Sequence, residues 1–185
     1  MSTSKHIGLQ IDNEISGIAA HQTLLVKGSS MARERLDNLI QAGFMIETIF
    51  VYAQLIEHLM KFVIDGYVAR RRILKLLRVE DIFEDEKLIL KDEETLGQLV
   101  GIFARLRCDR ILIKNINKFN GIRREAVHHM FDGTKELKVF EAEVTVYLAG
   151  SEFNSIIEGI TAEQMKLIQD IKKIVEIAGE RSATN

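Results

Sequence analysis

Apolar residues recur at intervals of three and four through most of this chain, the period of an α-helix face rather than the alternation of a strand. From Met31 to about Tyr67, Leu36, Leu39, Ile40, Gly43, Ile46, Phe50, Ala53 and Ile56 fall on one such face. From Phe44 onward almost every side is apolar, which calls for burial on both sides or for contact with a second subunit. Gly66 is a candidate break or kink, and Ala69 to Val79 reads as a further, basic helix. Leu96 to Leu106 predicts a short helix. Asp109 to about Phe131 predicts a longer one, with Ile113, Ile116, Asn117, Asn120 and Val127 as inward candidates. Residues 135–149 fit two templates: Ala142, Val144, Val146 and Leu148 alternate like a strand, whereas Leu137, Phe140, Val144, Tyr147 and Leu148 suit a helix. A solitary strand would have nothing to pair with, so a helix is expected. Thr161-Ala162-Glu163-Gln164 has the form of a capping box opening the last helix. Its stripe is Leu167, Ile168, Ile171, Ile174, Val175 and Ala178, and Gly179 can end it.

Residues 1–30 hold no equally clear pattern, because Gly8, Gly17, Gly28 and the Ser29-Ser30 pair interrupt them. A short helix or a loosely held arm is expected there. The layout is thus an N-terminal extension at 1–30, one helical domain at 31–179 and a frayed tail at 180–185. Glu80 to Glu94 carries eight acidic residues and two lysines, the signature of a solvated connection or an exposed helix face. Proline is absent from all 185 residues, although loops and β-turn architectures normally use it. The fold class expected is all-α, an up-and-down bundle of about four or five core helices.

Charge and cysteine usage narrow the function classes. A net charge of −2 argues against coating nucleic acid by bulk charge and leaves room for a local basic groove. Cys108 is the only cysteine, so no intrachain disulfide can form, which fits a reducing compartment. The best apolar stretch, Thr48 to Ile56, holds nine uncharged residues, against about twenty for a membrane span. With no secretory leader pattern at the N-terminus, the reading is a soluble, cytoplasmic protein with no membrane partner.

The stretch Asn120-Gly121-Ile122-Arg123-Arg124-Glu125-Ala126-Val127-His128 carries the densest chemistry. A guanidinium keeps its charge at any working pH and can fork two hydrogen bonds onto a phosphate. A histidine near neutrality can take a proton and return it. On an unbroken helix a five-residue step turns by about 140°, so Asn120, Arg124 and His128 form a row while Arg123 points elsewhere. Both arginines therefore stay candidates. Arg110, Lys114 and Lys118 make a second four-spaced row that suits a phosphate backbone or, equally, a soluble outer face. Glu57 lies amid the most apolar helix, where a buried carboxylate needs a partner, so it is expected to meet an arginine or to lie on a narrow polar strip. Glu125-x-x-His128 has no second copy to complete a di-iron site, and His128, His129 and Asp132 alone are a weak ligand set. No glycine-rich phosphate loop is present. Neither a metal nor a cofactor is expected.

This stretch resembles the signature of the HEPN superfamily, compact helical domains with an arginine, four to six residues, then a histidine at the end of the penultimate core helix. Arg123 and His128 enclose four residues here. Leu55 to Ile64 looks like the superfamily's first long helix, and Thr95 to Val100 is similar to the opening of the helix before the signature. The resemblance covers roughly residues 44–148. It implies a metal-independent endoribonuclease of a toxin–antitoxin or phage-defence system, with Arg123 and His128 catalytic; the helix row adds Arg124 and Asn120 as supporting candidates. The resemblance also implies that Glu57 holds the motif arginine, that the chain is a homodimer with its signatures facing a shared cleft, and that a cognate antitoxin protein exists. Arg124 stands where active members commonly have Asn, Asp or His, and Met130 stands where some carry a modified tyrosine. The alternative is a non-catalytic helical dimer that binds RNA or a protein partner through the basic rows.

Overall fold

The computed structural model describes residues 2–79, 94–132 and 137–183, and every element in them is an α-helix. In order these are α1 (Ser2–Gln41), α2 (Met45–Leu76), α3 (Leu96–Arg105), α4 (Arg110–Asp132), α5 (Leu137–Leu148) and α6 (Ser151–Ala183). The protein is an all-α bundle. The acidic run at 80–93 and the last tail residues, 184–185, lie outside the described residues.

The N-terminal segment departs from expectation: α1 is a single helix of 40 residues that runs through Gly8, Gly17 and Gly28. A helical glycine is unfavourable by only about 0.5–1 kcal/mol relative to alanine. A stripe of Ile11, Ile15 and Ile18 gives α1 an apolar face against the rest of the chain, with Ile11 buried and the other two half-buried. The long pattern from Met31 is in turn divided at Gly43, whose φ of 81° is the left-handed turn that stops α1. There the Phe44 N–H donates to the Leu39 carbonyl and the Gly43 N–H to the Ile40 carbonyl, which satisfies the helix's last acceptors. Gly66, the candidate break, lies within α2. Its missing side chain matters for packing instead, since a Cβ there would come within 2.5 Å of Leu167 Cδ2 on α6.

The capping box also moves. Thr161 lies inside α6 and its hydroxyl donates to the Ile157 carbonyl at 2.8 Å. The apolar stripe of Phe153, Ile156, Ile157 and Ile160 carries α6 upstream to Ser151. A true box opens α3, where the Gln98 N–H donates to Thr95 Oγ1 and the Thr95 N–H donates to Gln98 Oε1. The ambiguous segment at 137–148 is helical, burying Phe140, Val144 and Leu148 on one side.

Helix α2 is the centre of the bundle and touches each of the other five described helices. Ile49, Ile56, Met60, Val63 and Ile64 are wholly buried. Its apolar surplus is thus covered within one chain, so this feature by itself does not call for a second subunit. Around Tyr52 an aromatic knot ties α2 to α4 and α6: Phe119 meets its ring edge-on at 5.2 Å and Phe153 lies 3.8 Å away. The Tyr52 hydroxyl donates to the Phe153 carbonyl.

Two devices fix α4, which carries the candidate chemistry. At its start Asp109 Oδ1 accepts the N–H groups of Ile111 and Leu112 at 2.8 and 2.9 Å. The buried Glu163 of α6 accepts the Asp109 N–H at 3.3 Å and the Lys166 ammonium at 2.7 Å. Along α4, Leu112, Ile116, Phe119 and Ala126 form the buried face. Asn117, expected inward, is exposed, and Val127 is 40% exposed. Both lie to the side of that stripe.

Candidate active site

Arg123 crosses from α4 to α2, where its Nη1 donates to Glu57 Oε1 at 2.9 Å. Both side chains are about three-quarters covered, at 25% exposure each. The carboxylate that burial made costly and the motif arginine therefore satisfy each other. Glu57 and Arg123 form one wall of a cleft of about 420 Å³. Phe50, Ala53 and Gln54 from α2 and Arg124, Val127 and His128 from α4 complete it.

Helix α4 runs unbroken through the motif, and the cleft nevertheless takes in both candidate arginines. Two adjacent i, i+4 pairs supply its α4 side: Arg123 with Val127, and Arg124 with His128. Neighbouring stripes are only about 100° apart on a helix, and long arginine side chains reach across that angle. Arg124 and His128 are exposed at the cleft mouth. Arg124 has no carboxylate partner among the described residues, so its charge is available to an anion. The α4 side of the cleft thus carries one clamped guanidinium, one available guanidinium and an imidazole.

The remaining candidates lie elsewhere. Asn120 does not line the cleft; its amide nitrogen is turned toward Gly97 of α3, and its Oδ1 is buried without a hydrogen-bond donor among the described residues. Arg110, Lys114 and Lys118 are exposed. Lys118 pairs with Glu152 of α6 and its ammonium sits 5.9 Å over the Tyr147 ring. Lys118 and Arg123 are five residues apart, about 140° around the helix, so Lys118 meets α6 while Arg123 faces α2. None of the three basic residues lines the cleft. Among the described residues no cluster of three His, Cys, Asp or Glu side chains could hold a metal. The side chains of His129 and Asp132 lie outside what the structure describes.

Cys108, at the α3–α4 junction, is buried and its thiol is pushed up to about 12, by burial first and then by the negative charge of Glu163. A thiol so held is a packing group and not a nucleophile. Among the described residues no helix is long and apolar enough to cross a membrane.

Phe50 and Gln54 are cleft residues that the motif did not point to. They precede Glu57 by seven and three positions, and that spacing on one helix face is the signal that could have found them. Comparison with protein-family models, curated proteins and solved structures finds no match.

Proposed function

We propose that the protein is a cytoplasmic, metal-independent endoribonuclease acting from the α2–α4 cleft, in a toxin–antitoxin or phage-defence role of the kind the HEPN resemblance implies. The observation that carries this reading is the gathering of Arg123, Arg124 and His128 in one cleft, with Glu57 orienting Arg123. A phosphodiester bound there meets guanidinium charge on α4. His128 takes the proton of the ribose 2′-hydroxyl as that oxygen bonds to phosphorus. The bond from phosphorus to the 5′-oxygen breaks, and the departing oxygen takes a proton from protonated His128 or from water. Arg124 and Arg123 offset the charge that develops on the phosphoryl oxygens. The products are a 2′,3′-cyclic phosphate and a free 5′-hydroxyl, and DNA, lacking the attacking hydroxyl, is inert.

The same reading puts a second copy across the open mouth of the cleft, where Val127 stays exposed, and a cognate antitoxin protein as the partner that masks it. Sedimentation is expected to show a dimer at micromolar concentration, and a monomer would remove the shared cleft from the scheme.

One observation favours a second reading: Arg110 and Lys114 are exposed and lack a carboxylate partner among the described residues. Under that reading the protein is a binding module whose basic row tracks a phosphate backbone and whose cleft does no chemistry. RNA binding and RNA cleavage measured together in the parent and in Arg123→Ala/His128→Ala separate the two. Cleavage lost with binding kept supports the nuclease. Binding without cleavage in the parent, together with affinity lost on neutralising Arg110 and Lys114, supports the module.

A further inference from the structure

The α4 side of the cleft is cationic, but its α2 side is not. Phe50 presents a half-buried ring that packs at the edge of the core, and Gln54, one turn on, is exposed in the same cleft. Neither the Phe50 ring nor the Gln54 amide has a ring contact or hydrogen-bond partner among the described residues. An apolar ring lying across from guanidinium groups, with an amide beside it, combines three kinds of contact. The ring offers a stacking surface, the amide offers paired donor and acceptor groups, and the guanidinium groups offer charge for phosphate. A nucleotide has those three parts: a flat base, a polar base edge and a phosphate. A cleft of about 420 Å³ falls within the range of small-molecule sites, roughly 300–1,000 Å³.

We infer that Phe50 and Gln54 form a nucleobase subsite, in which an unpaired RNA base stacks on the Phe50 ring and presents its edge to the Gln54 amide. The inference rests on reading the cleft as an RNA site, and it deepens that reading by naming the substrate class. A base inside a duplex is already stacked and paired, so the ring and the amide can reach only single-stranded or looped RNA. Phe50 supplies affinity for any base because every base has a π-face. Gln54 supplies preference among them, because its amide matches the donors and acceptors of some edges better than others. The two walls thus have separate roles, α2 holding the base and α4 handling the phosphate.

The test uses the full chain, labelled single-stranded oligomers of U, C, A and G, and a labelled RNA duplex. Binding is read by anisotropy in a His128→Ala background and cleavage in the parent background. Phe50→Leu keeps the apolar packing and removes the stacking ring, while Phe50→Tyr restores a ring. Phe50→Leu is expected to weaken all four single strands by roughly tenfold, as loss of one base–aromatic stack does, and Phe50→Tyr to recover most of it. Gln54→Ala is expected to flatten the differences among the four oligomers. In cleavage, Phe50→Leu should raise KM more than it lowers kcat. Duplex RNA bound as tightly as the single strands, or single strands bound unchanged by Phe50→Leu with equal thermal stability, overturns the subsite. If in the latter case cleavage still depends on His128, the nuclease reading stands and the subsite alone is lost. If single strands bind through Phe50 but the parent cleaves nothing, the subsite stands and the nuclease reading is lost.

Discussion

Glu57 governs what Arg123 can do. Held at 2.9 Å and three-quarters covered, Arg123 cannot swing freely onto a substrate, so it contributes direction as much as charge. Arg124 has no such tether among the described residues. A double-mutant cycle of Glu57→Gln and Arg123→Gln, read by denaturant unfolding, is expected to show a coupling of about 1 kcal/mol. A coupling near zero would mean that the pair does not hold the arginine. That Glu57 needs a cationic partner was legible from a carboxylate set among aliphatics. Which arginine it meets was not, because that depends on how α2 and α4 cross. Cys108 has basic neighbours in sequence that could lower a thiol pKa, but a lone thiol in a helix is normally a packing group, and it is buried here. Burial and Glu163, which is 55 positions away in the chain, push it up to about 12. Its folded value thus lies above its unfolded value of about 8.5, so its contribution to stability is full below that pH and is lost as pH rises toward 12. Melting temperature followed from pH 8 to 11 is expected to fall less steeply in Cys108→Ala than in the parent, and equal slopes would contradict the assignment.

At the scale of elements, the apolar period located the body of most helices, while their ends depended on turn chemistry that is weakly marked. Gly43 stops α1 as a glycine should, but α2 and α3 end with arginines in the same left-handed role, Arg78 at φ 55° and Arg107 at φ 57°. Cys108 N–H donates to the Phe103 carbonyl and Arg107 N–H to the Ala104 carbonyl, the same pattern that closes α1. No residue type announces a stop at those two places. An L-residue there is strained, so Arg107→Gly is expected to stabilise the fold by about 0.5–1 kcal/mol. Gly121, exposed in mid-α4 with nothing within 4 Å of a Cβ, makes the converse case. Gly121→Ala is expected to raise stability by about 0.5–1 kcal/mol in thermal unfolding, and a loss would mean that the position faces an unseen neighbour. The misplaced capping box has the same origin: Thr-x-x-Gln and Thr-x-x-Glu spacings are common, and only the stripe upstream of Thr161 shows that α6 has already begun.

For the whole molecule, the class was readable from the helical period and the missing proline, but the centrality of α2 was not. A helix apolar on most sides can be wrapped by its own chain or by another, and here α1, joined through Gly43, supplies one of the missing walls. The reading of residues 1–30 as an extension hid that wall. The cleft was half legible: Arg123, Arg124, His128 and Glu57 were candidates from sequence, whereas Phe50 and Gln54 enter only when α2 and α4 lie side by side. The basic row, plausible as a continuation of the motif, stays outside the cleft, and its last member, Lys118, pairs with Glu152 of α6. We propose that the cleft cuts RNA with its own side chains, and product analysis in excess chelator tests this most directly. Parent protein is expected to yield fragments ending in 2′,3′-cyclic phosphate, with His128→Ala slower by about 10²–10⁴-fold and equally folded. Cleavage that stops when metal is chelated, or that proceeds unchanged in His128→Ala, would contradict it.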